Sequence, residues 1–434
     1  MSDLDLLQDL IDRAKRAGAD AADAGVSAGA SLSVQRRAGR TEHLERSESR
    51  DLGLRVFIGK RVASVSAGSV DPGQFDDLVA RAVAMAKVVP EDIYAGLAED
   101  AAIPPPELDL DLMDPFAPST ELLLARAQEA EDAAKSVAGV TNTEGAEAGW
   151  SRSEHLLVTS AGFVGHSETT HHSISATALA GSGTDMQRDY DYSTTVYFTD
   201  QESPADIGRR AGARAVARLH PRRPQTARIP VIYDNRTSPG LIGHLLGAIN
   251  GASIARGTSF LKEDLHAQLF APTISILEDP HRRRGLRSRP FDGEGVATTR
   301  RAIIDQGVLT TWLMDSRSAR QLGLRTTGHA RGTGNLYLTV GDQTLAELMS
   351  DISEGLYITE LIGSSINQLT GDYSRGAAGF MIRGGALAEP VAELTVAGNL
   401  RDMFRVLVPA DDLTLKHGTD APSVRIEGLT VAGA

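Results

Sequence analysis

Hydrophobic and polar residues change period several times along the chain. Leu4, Leu7, Ile11 and Ala14 recur at helical spacing and Gly18 ends the pattern, which predicts a helix over 4–17. Alternation takes over at 51–65: Leu52, Leu54, Val56 and Ile58 point one way, Gly59-Lys60 turns, and Val62, Ser64 and Ser66 return, a hairpin signal. Asp71-Pro72 opens a second helix carrying Phe75, Leu78, Val79, Ala82, Val83 and Ala86, and Pro90 closes it. An acidic, proline-rich surface connection runs from Pro104-Pro105-Pro106 to Pro118, and Ser119 caps a third helix ending near Gly139. From 140 to 199 the pattern is β again, with strands over 156–160 and 163–180 around Ala161-Gly162 and another over 194–198. A helix over 206–219 is stopped by His220-Pro221-Arg222-Arg223-Pro224, which marks the domain boundary.

The second half opens with a strand over 229–233 and a helix over 239–251. Short strands with glycine-rich turns follow, at 273–277, 302–304, 308–313, 336–340, 379–382, 391–396 and 424–426, and only 318–322 and 344–350 read as further helix. No βαβ alternation is present, which argues against a doubly wound parallel sheet. The expected class is α+β. An N-terminal helix/antiparallel-sheet domain (1–222) should precede a mostly antiparallel, curved or barrel-like β domain with few helices (223–434).

Composition narrows this picture. A chain of 434 residues with 41% apolar and 23% charged residues is an ordinary two-domain globular protein. No apolar run reaches the roughly 18 residues a membrane span needs, and the acidic start Met1-Ser2-Asp3-Leu4-Asp5 has no basic region of a secretory signal. The absence of cysteine removes disulfides, thiolate ligands and thiol nucleophiles, so the expected location is cytoplasmic. A net charge of -13 argues against nucleic acid. The basic run His281 to Arg289 reads as an anion site or as a loop paired with acidic neighbours.

Candidate chemistry is sparse. His166 and His172 share a strand face but lie roughly 20 Å apart, and His171 points away, so one metal ion cannot join them. The 239–251 helix holds a lone His244. A zinc-peptidase helix needs a glutamate beside the first histidine and a second histidine about one turn on. Here those places hold Leu245, Ala248 and Ile249, none of which can bind metal or move a proton. No phosphate-binding loop is present, and Gly181-Ser182-Gly183 and Gly332-Thr333-Gly334 read as turns. Bare backbone at Gly371, Gly376, Ala377, Ala378 and Gly379 allows close strand approach, so Asp372, Tyr373, Ser374, Arg375 and Gly376 are candidates for peptide binding or a subunit interface. Arg375 could hold a peptide carboxylate or pair with Asp372.

From residue 229 to the end the chain resembles the TldD/PmbA family, in its PmbA (TldE) branch. The resemblance rests on Gly243-His244-Leu245-Leu246-Gly247, Pro290-Phe291-Asp292-Gly293-Glu294-Gly295-Val296 and Ser318-Ala319-Arg320-Gln321-Leu322-Gly323. It continues with Thr327-Gly328-His329-Ala330, Thr359-Glu360-Leu361-Ile362-Gly363, Thr370-Gly371-Asp372-Tyr373-Ser374-Arg375-Gly376 and Val396-Ala397-Gly398-Asn399. The first half agrees more loosely, through Gly53-Leu54-Arg55-Val56 and Ser160-Ala161-Gly162. In the TldD branch a His-Glu-x-x-x-His helix and a later cysteine bind zinc. The resemblance places the first histidine at His244, the glutamate at Leu245, the second histidine at Ile249 and the cysteine at His417. It implies no catalytic residue and no cofactor in this chain. Zinc is expected in a TldD-type partner, the two subunits enclosing a chamber for small or unfolded peptides, and the isolated chain could form a homodimer. Two rival readings are an independent metalloprotease using His244, His417 and an acid from elsewhere, and a peptide-binding regulatory adaptor.

Overall fold

The computed structural model describes residues 2–102 and 108–433; the triple-proline segment 104–106 lies outside them. Helix α1 (Asp3–Arg16) starts on a reciprocal cap between Ser2 and Asp5 and buries Leu6, Leu7, Leu10, Ile11 and Ala14. Strands β1 (Ala21–Arg37), β2 (Arg40–Ile58) and β3 (Arg61–Ala67) follow, then α2 (Phe75–Val88) and α3 (Thr120–Lys135). Next come β4 (Val140–Thr159), β5 (Val164–Ala180), β6 (Gln187–Thr195) and α4 (Pro204–Ala217). The six strands form one antiparallel sheet in the order β3-β2-β1-β4-β5-β6.

Alternation decides which face of this sheet is covered. Ala22, Ala24 and Val26 of β1 pack with α1 and α2, while Val34 on the same face packs with α3 and α4. The helices thus sit as two pairs at opposite ends of one face. The strand predicted over 194–198 lies instead at β6, followed by a 3-10 turn at Phe198–Asp200. Its hydrophobic pattern was misleading because β6 buries polar side chains, Asp189, Asp191 and Ser193. Arginines of α4 and its end, Arg210, Arg214 and Arg218, satisfy the two aspartates.

The second half begins with β7 (Ala227–Tyr233), α5 (Pro239–Ala248) and α6 (Gly251–Ala255). The predicted single helix over 239–251 is therefore two. Asn250 breaks it by leaving helical geometry and accepting the N–H groups of Ala252 and Ser253, capping α6. Then come β8 (Ile276–Asp279), β9 (Arg301–Asp305), β10 (Val308–Leu309), α7 (Ser316–Gln321), β11 (Asn335–Leu338) and α8 (Leu345–Ser350). The last elements are β12 (Glu354–Ile366), β13 (Asp372–Arg383), β14 (Ala386–Asn399), α9 (Leu400–Val406), β15 (Val408–Pro409), β16 (Thr419–Asp420) and β17 (Val424–Ala432).

Strands β14, β13, β12, β7 and β17 pair in series, and β14 also pairs with β17, which closes a five-stranded barrel. All its pairings are antiparallel except β12 with β7. The expected α+β class with a barrel-like second half is observed. One glycine shows why the 371–380 segment has its composition: a side chain at Gly379 would sit 1.9 Å from the Tyr357 carbonyl oxygen of β12.

Candidate functional site

Helix α5 lies between the barrel and solvent, and its two faces differ sharply. Leu241, Ile242, Leu245 and Ala248 are buried, and so is the cap residue Ile249. Leu245 and Ile249 are both 0% exposed within the main apolar core. The other face carries Gly240, Gly243, His244 and Gly247, spaced as i, i+3, i+4 and i+7 along one helical stripe. His244 is half-buried and meets the Tyr373 ring edge-on, centroids 5.8 Å apart. Burial and the nearby Arg375 charge lower its pKa, so the ring is neutral at pH 7.

The candidate residues on β13 alternate as a strand requires. Tyr373 is buried and Arg375 half-buried on the side facing α5, whereas Asp372 and Ser374 are exposed. This overturns the pairing of Arg375 with Asp372: Asp372 accepts from the Thr370 hydroxyl at 2.6 Å and from the Asn399 amide at 3.2 Å. Residues 372–377 are paired with β14 on one side, and β12 occupies the other. The strands that approach this bare backbone are therefore the chain's own, and a peptide cannot add there.

His417 stands in a different place. It lines a cavity of about 360 Å³ at the junction of the two halves, with Tyr190, Tyr192, Arg210, Arg236, Pro239 and Asp420 on its walls. An adjoining cavity of about 320 Å³ continues past Tyr192 to Arg282, Arg283 and Arg284. The His417 ring lies against Tyr192, centroids 5.0 Å apart. Burial lowers its pKa, and Lys416 adds to this against the opposing pull of Asp420. Asp420 accepts the backbone N–H groups of His417 at 2.8 Å and Lys416 at 3.2 Å, and burial raises its pKa. The cavity reaches the first residue of α5, Pro239, but His244 is not among its lining residues.

The fit to zinc follows from these donors. A catalytic zinc takes three protein ligands about 2 Å away. At α5, His244 offers one nitrogen, while Leu245 and Ile249 offer none and point into the core. Among the described residues, the one set of three or more metal-capable side chains whose donors converge is Glu154, His166 and Glu168, within 4.8 Å of one another. His244 and His417 are not part of it. The α5 donors do not fit zinc.

Other residues of the quoted motifs serve as braces. Buried Asp292 accepts from the N–H groups of Glu294, Val296 and Ala330 at 2.8, 3.0 and 2.9 Å, tying two of the motif loops together. His329 and Glu278, both buried, are joined at 3.0 Å. In the basic run, Arg283 and Arg284 pair with Asp111, and Arg284 also with Asp200. That is the acidic-neighbour reading. Sequence inspection missed the Tyr190–Tyr192–His417 cluster, because His417, on a loop, lies 225 positions beyond Tyr192 of β6 and shares no motif with it.

Three family models match in chain order. The PmbA/TldA metallopeptidase domain 1 matches residues 22–86, the central domain 114–219 and the C-terminal domain 226–433. The metalloprotease PmbA of Escherichia coli O157:H7 is 36% identical over 95% of this chain and 92% of its own. The chain belongs to the PmbA/TldD metallopeptidase family. A PmbA homologue of Haemophilus influenzae is 32% identical over 98% of this chain and 94% of its own. Among solved structures, a Bacteroides thetaiotaomicron protein described as a candidate modulator of DNA gyrase superposes with a TM-score of 0.93. It is 26% identical, with full coverage of both chains. TldE of Thermococcus kodakarensis, 17% identical, shares the fold with a TM-score of 0.84 over 99% of this chain and all of its own. The PmbA/TldD fold therefore covers both halves of the molecule, including the sheet whose sequence resembled the family only loosely. Among the described residues of this family member, no helix is long and apolar enough to cross a membrane.

Proposed function

We propose that this chain is the PmbA/TldE-type subunit of a cytoplasmic two-subunit zinc peptidase. It completes the chamber while a TldD-type His-Glu-x-x-x-His partner holds the metal and performs hydrolysis on small or unfolded peptides. One observation carries the reading: on the helix where the family resemblance places metal ligands, Leu245 and Ile249 are apolar and fully buried. Hydrolysis needs a metal-bound water and a base beside it, and neither position can supply one.

Co-expression with the His-Glu-x-x-x-His protein of the same organism tests this, reading complex mass, bound zinc and peptide cleavage. The expected result is one-to-one assembly, about one zinc held by the partner, and cleavage that requires both chains. Stoichiometric zinc and cleavage by this chain alone would instead favour an independent metalloprotease built on His244 and His417. Peptide binding with no assembly at all would favour a regulatory adaptor.

A further inference from the structure

The exposed stripe of α5 is built for something its own fold does not use. Glycine is the poorest helix former after proline, yet Gly240, Gly243 and Gly247 follow one another along a ten-residue helix. A side chain at Gly243 would meet nothing within 4 Å, so no packing inside the chain demands its absence. At Gly240 the nearest atom is Arg375 Nη1, at 4.0 Å. The stripe is bare backbone bordered by Arg375 beside Gly240 and by Gln368 beside Gly247, where a side chain would sit 3.3 Å from the Gln368 amide nitrogen.

Among the described residues Arg375 has no ion-pair partner, and its buried Nε has no hydrogen-bond partner. Behind it, Tyr233 and Tyr373 are 0% and 1% exposed. Their hydroxyls face each other, and neither has a well-formed hydrogen bond to any other described group. The Arg375 charge reaches both phenols and His244. Buried donors without acceptors are rare in folded proteins and call for a ligand, an ion or a water. All the groups here are donors, or can act as donors. An anion with acceptor oxygens would answer the Arg375 charge and accept from these donors.

We propose that Arg375 and His244, with the bare stripe of α5 as floor, form a carboxylate-binding site for a short peptide. Arg375 supplies the planar fork that suits a carboxylate. His244, neutral at pH 7, donates one N–H. The peptide backbone lies against Gly240 and Gly243, where no side chain stands in its way. The carboxylate comes from the peptide's C-terminus or from an aspartate or glutamate side chain. The proposal rests on the peptide-handling reading above but does not need the partner subunit.

The test is calorimetry on the purified full chain at pH 7 with three probes: tetra-alanine, tetra-alanine amide, and N-acetyl-Ala-Glu-Ala amide. A carboxylate-bearing probe should bind at least tenfold more tightly than tetra-alanine amide. Preference for tetra-alanine assigns the C-terminus, and preference for the glutamate peptide assigns the side chain. Arg375→Ala should erase the difference, and Arg375→Lys should retain part of it. Gly243→Leu should abolish binding with Tm unchanged or higher, because the space there is open and leucine favours helix. Equal binding of acid and amide probes, no binding of any probe, or a Gly243→Leu protein that binds normally would each overturn the site. Failure to assemble with the His-Glu-x-x-x-His subunit removes the proposed function but leaves this binding measurement standing.

Discussion

Two histidines in this protein have exchanged the surroundings that their positions would lead one to expect. His244 sits on the helix where the family resemblance places metal chemistry, yet its neighbours along α5 are glycine stripe and aliphatic core. His166 sits near the start of β5 on an ordinary-looking sheet, yet Glu154 of β4 and Glu168 of β5 converge on it. Donor convergence is set by backbone geometry, not by motif. On a helix, residues i and i+1 diverge by about 100°, so Leu245 leaves the face that His244 occupies. On paired strands, residues directly opposite and two along share one face within reach.

The strongest test places donors at α5. Leu245→Glu together with Ile249→His installs the side chains that a zinc helix carries. Both positions are 0% exposed, and Leu245 is surrounded by the largest apolar cluster of the fold. Burying an unpaired carboxylate and an imidazole there, with loss of aliphatic packing, should cost about 4 kcal/mol or more. Urea denaturation of the double variant should show a collapsed midpoint or insoluble protein. A variant with the wild-type midpoint and one bound zinc would mean that this helix can turn its sequence to the metal, and that the donor-poor description of α5 is wrong.

The same geometry explains what was readable beforehand. The β2–β3 hairpin was legible because Leu52, Leu54 and Val56 alternate cleanly over a buried face. Strand β1 was not, because Ala21 to Val34 is largely alanine, glycine and serine, residues with little strand signature of their own. Its partner at 40–51 is exposed on both faces, so no alternation exists to be read. The glycine-rich segment at 371–380 was read for close strand approach, which is right, but its pairing with β12 and β14 depends on contacts distant in sequence. The apolar character of α5 was legible from composition. That Arg375 has no ion-pair partner among the described residues was not, since pairing is a property of the folded surroundings.

A smaller effect comes from pH. His155, His171, His172, His244, His281 and His417 all have pKa values lowered by burial from the ordinary 6.5. At these six sites the unfolded chain binds more protons than the folded one at mildly acidic pH, so their contribution to stability rises with pH up to about 6.5 and is lost below it. An opposing contribution comes from Asp23, Asp292, Glu294 and Asp420, whose pKa values burial raises. Urea titrations should show a lower midpoint at pH 5.5 than at pH 7. Because His244 is one of six such groups, His244→Gln should make that loss shallower by only a fraction of a proton. Equal slopes for the two proteins would show that His244 is not held neutral by its site.

The smallest effect is expected at His166, although its surroundings are richer in donors. Glu154 and Glu168 lie directly opposite across β4 and β5, a like-charge arrangement that disfavours pairing. Two neighbours already answer it: the Arg152 guanidinium holds Glu168 at 2.9 Å, and the His166 ring meets Glu154 at 3.0 Å. The His166 side chain is 47% exposed, so water screens what it contributes. His166→Ala should therefore cost under about 1 kcal/mol in a urea midpoint. Zinc at micromolar concentration should leave Tm unchanged in both proteins, because a metal would have to displace the His166 and Arg152 contacts it finds in place. A zinc-dependent rise in Tm that disappears in His166→Ala would reverse the contrast with α5 and make the sheet, not the helix, the metal-binding part of this chain.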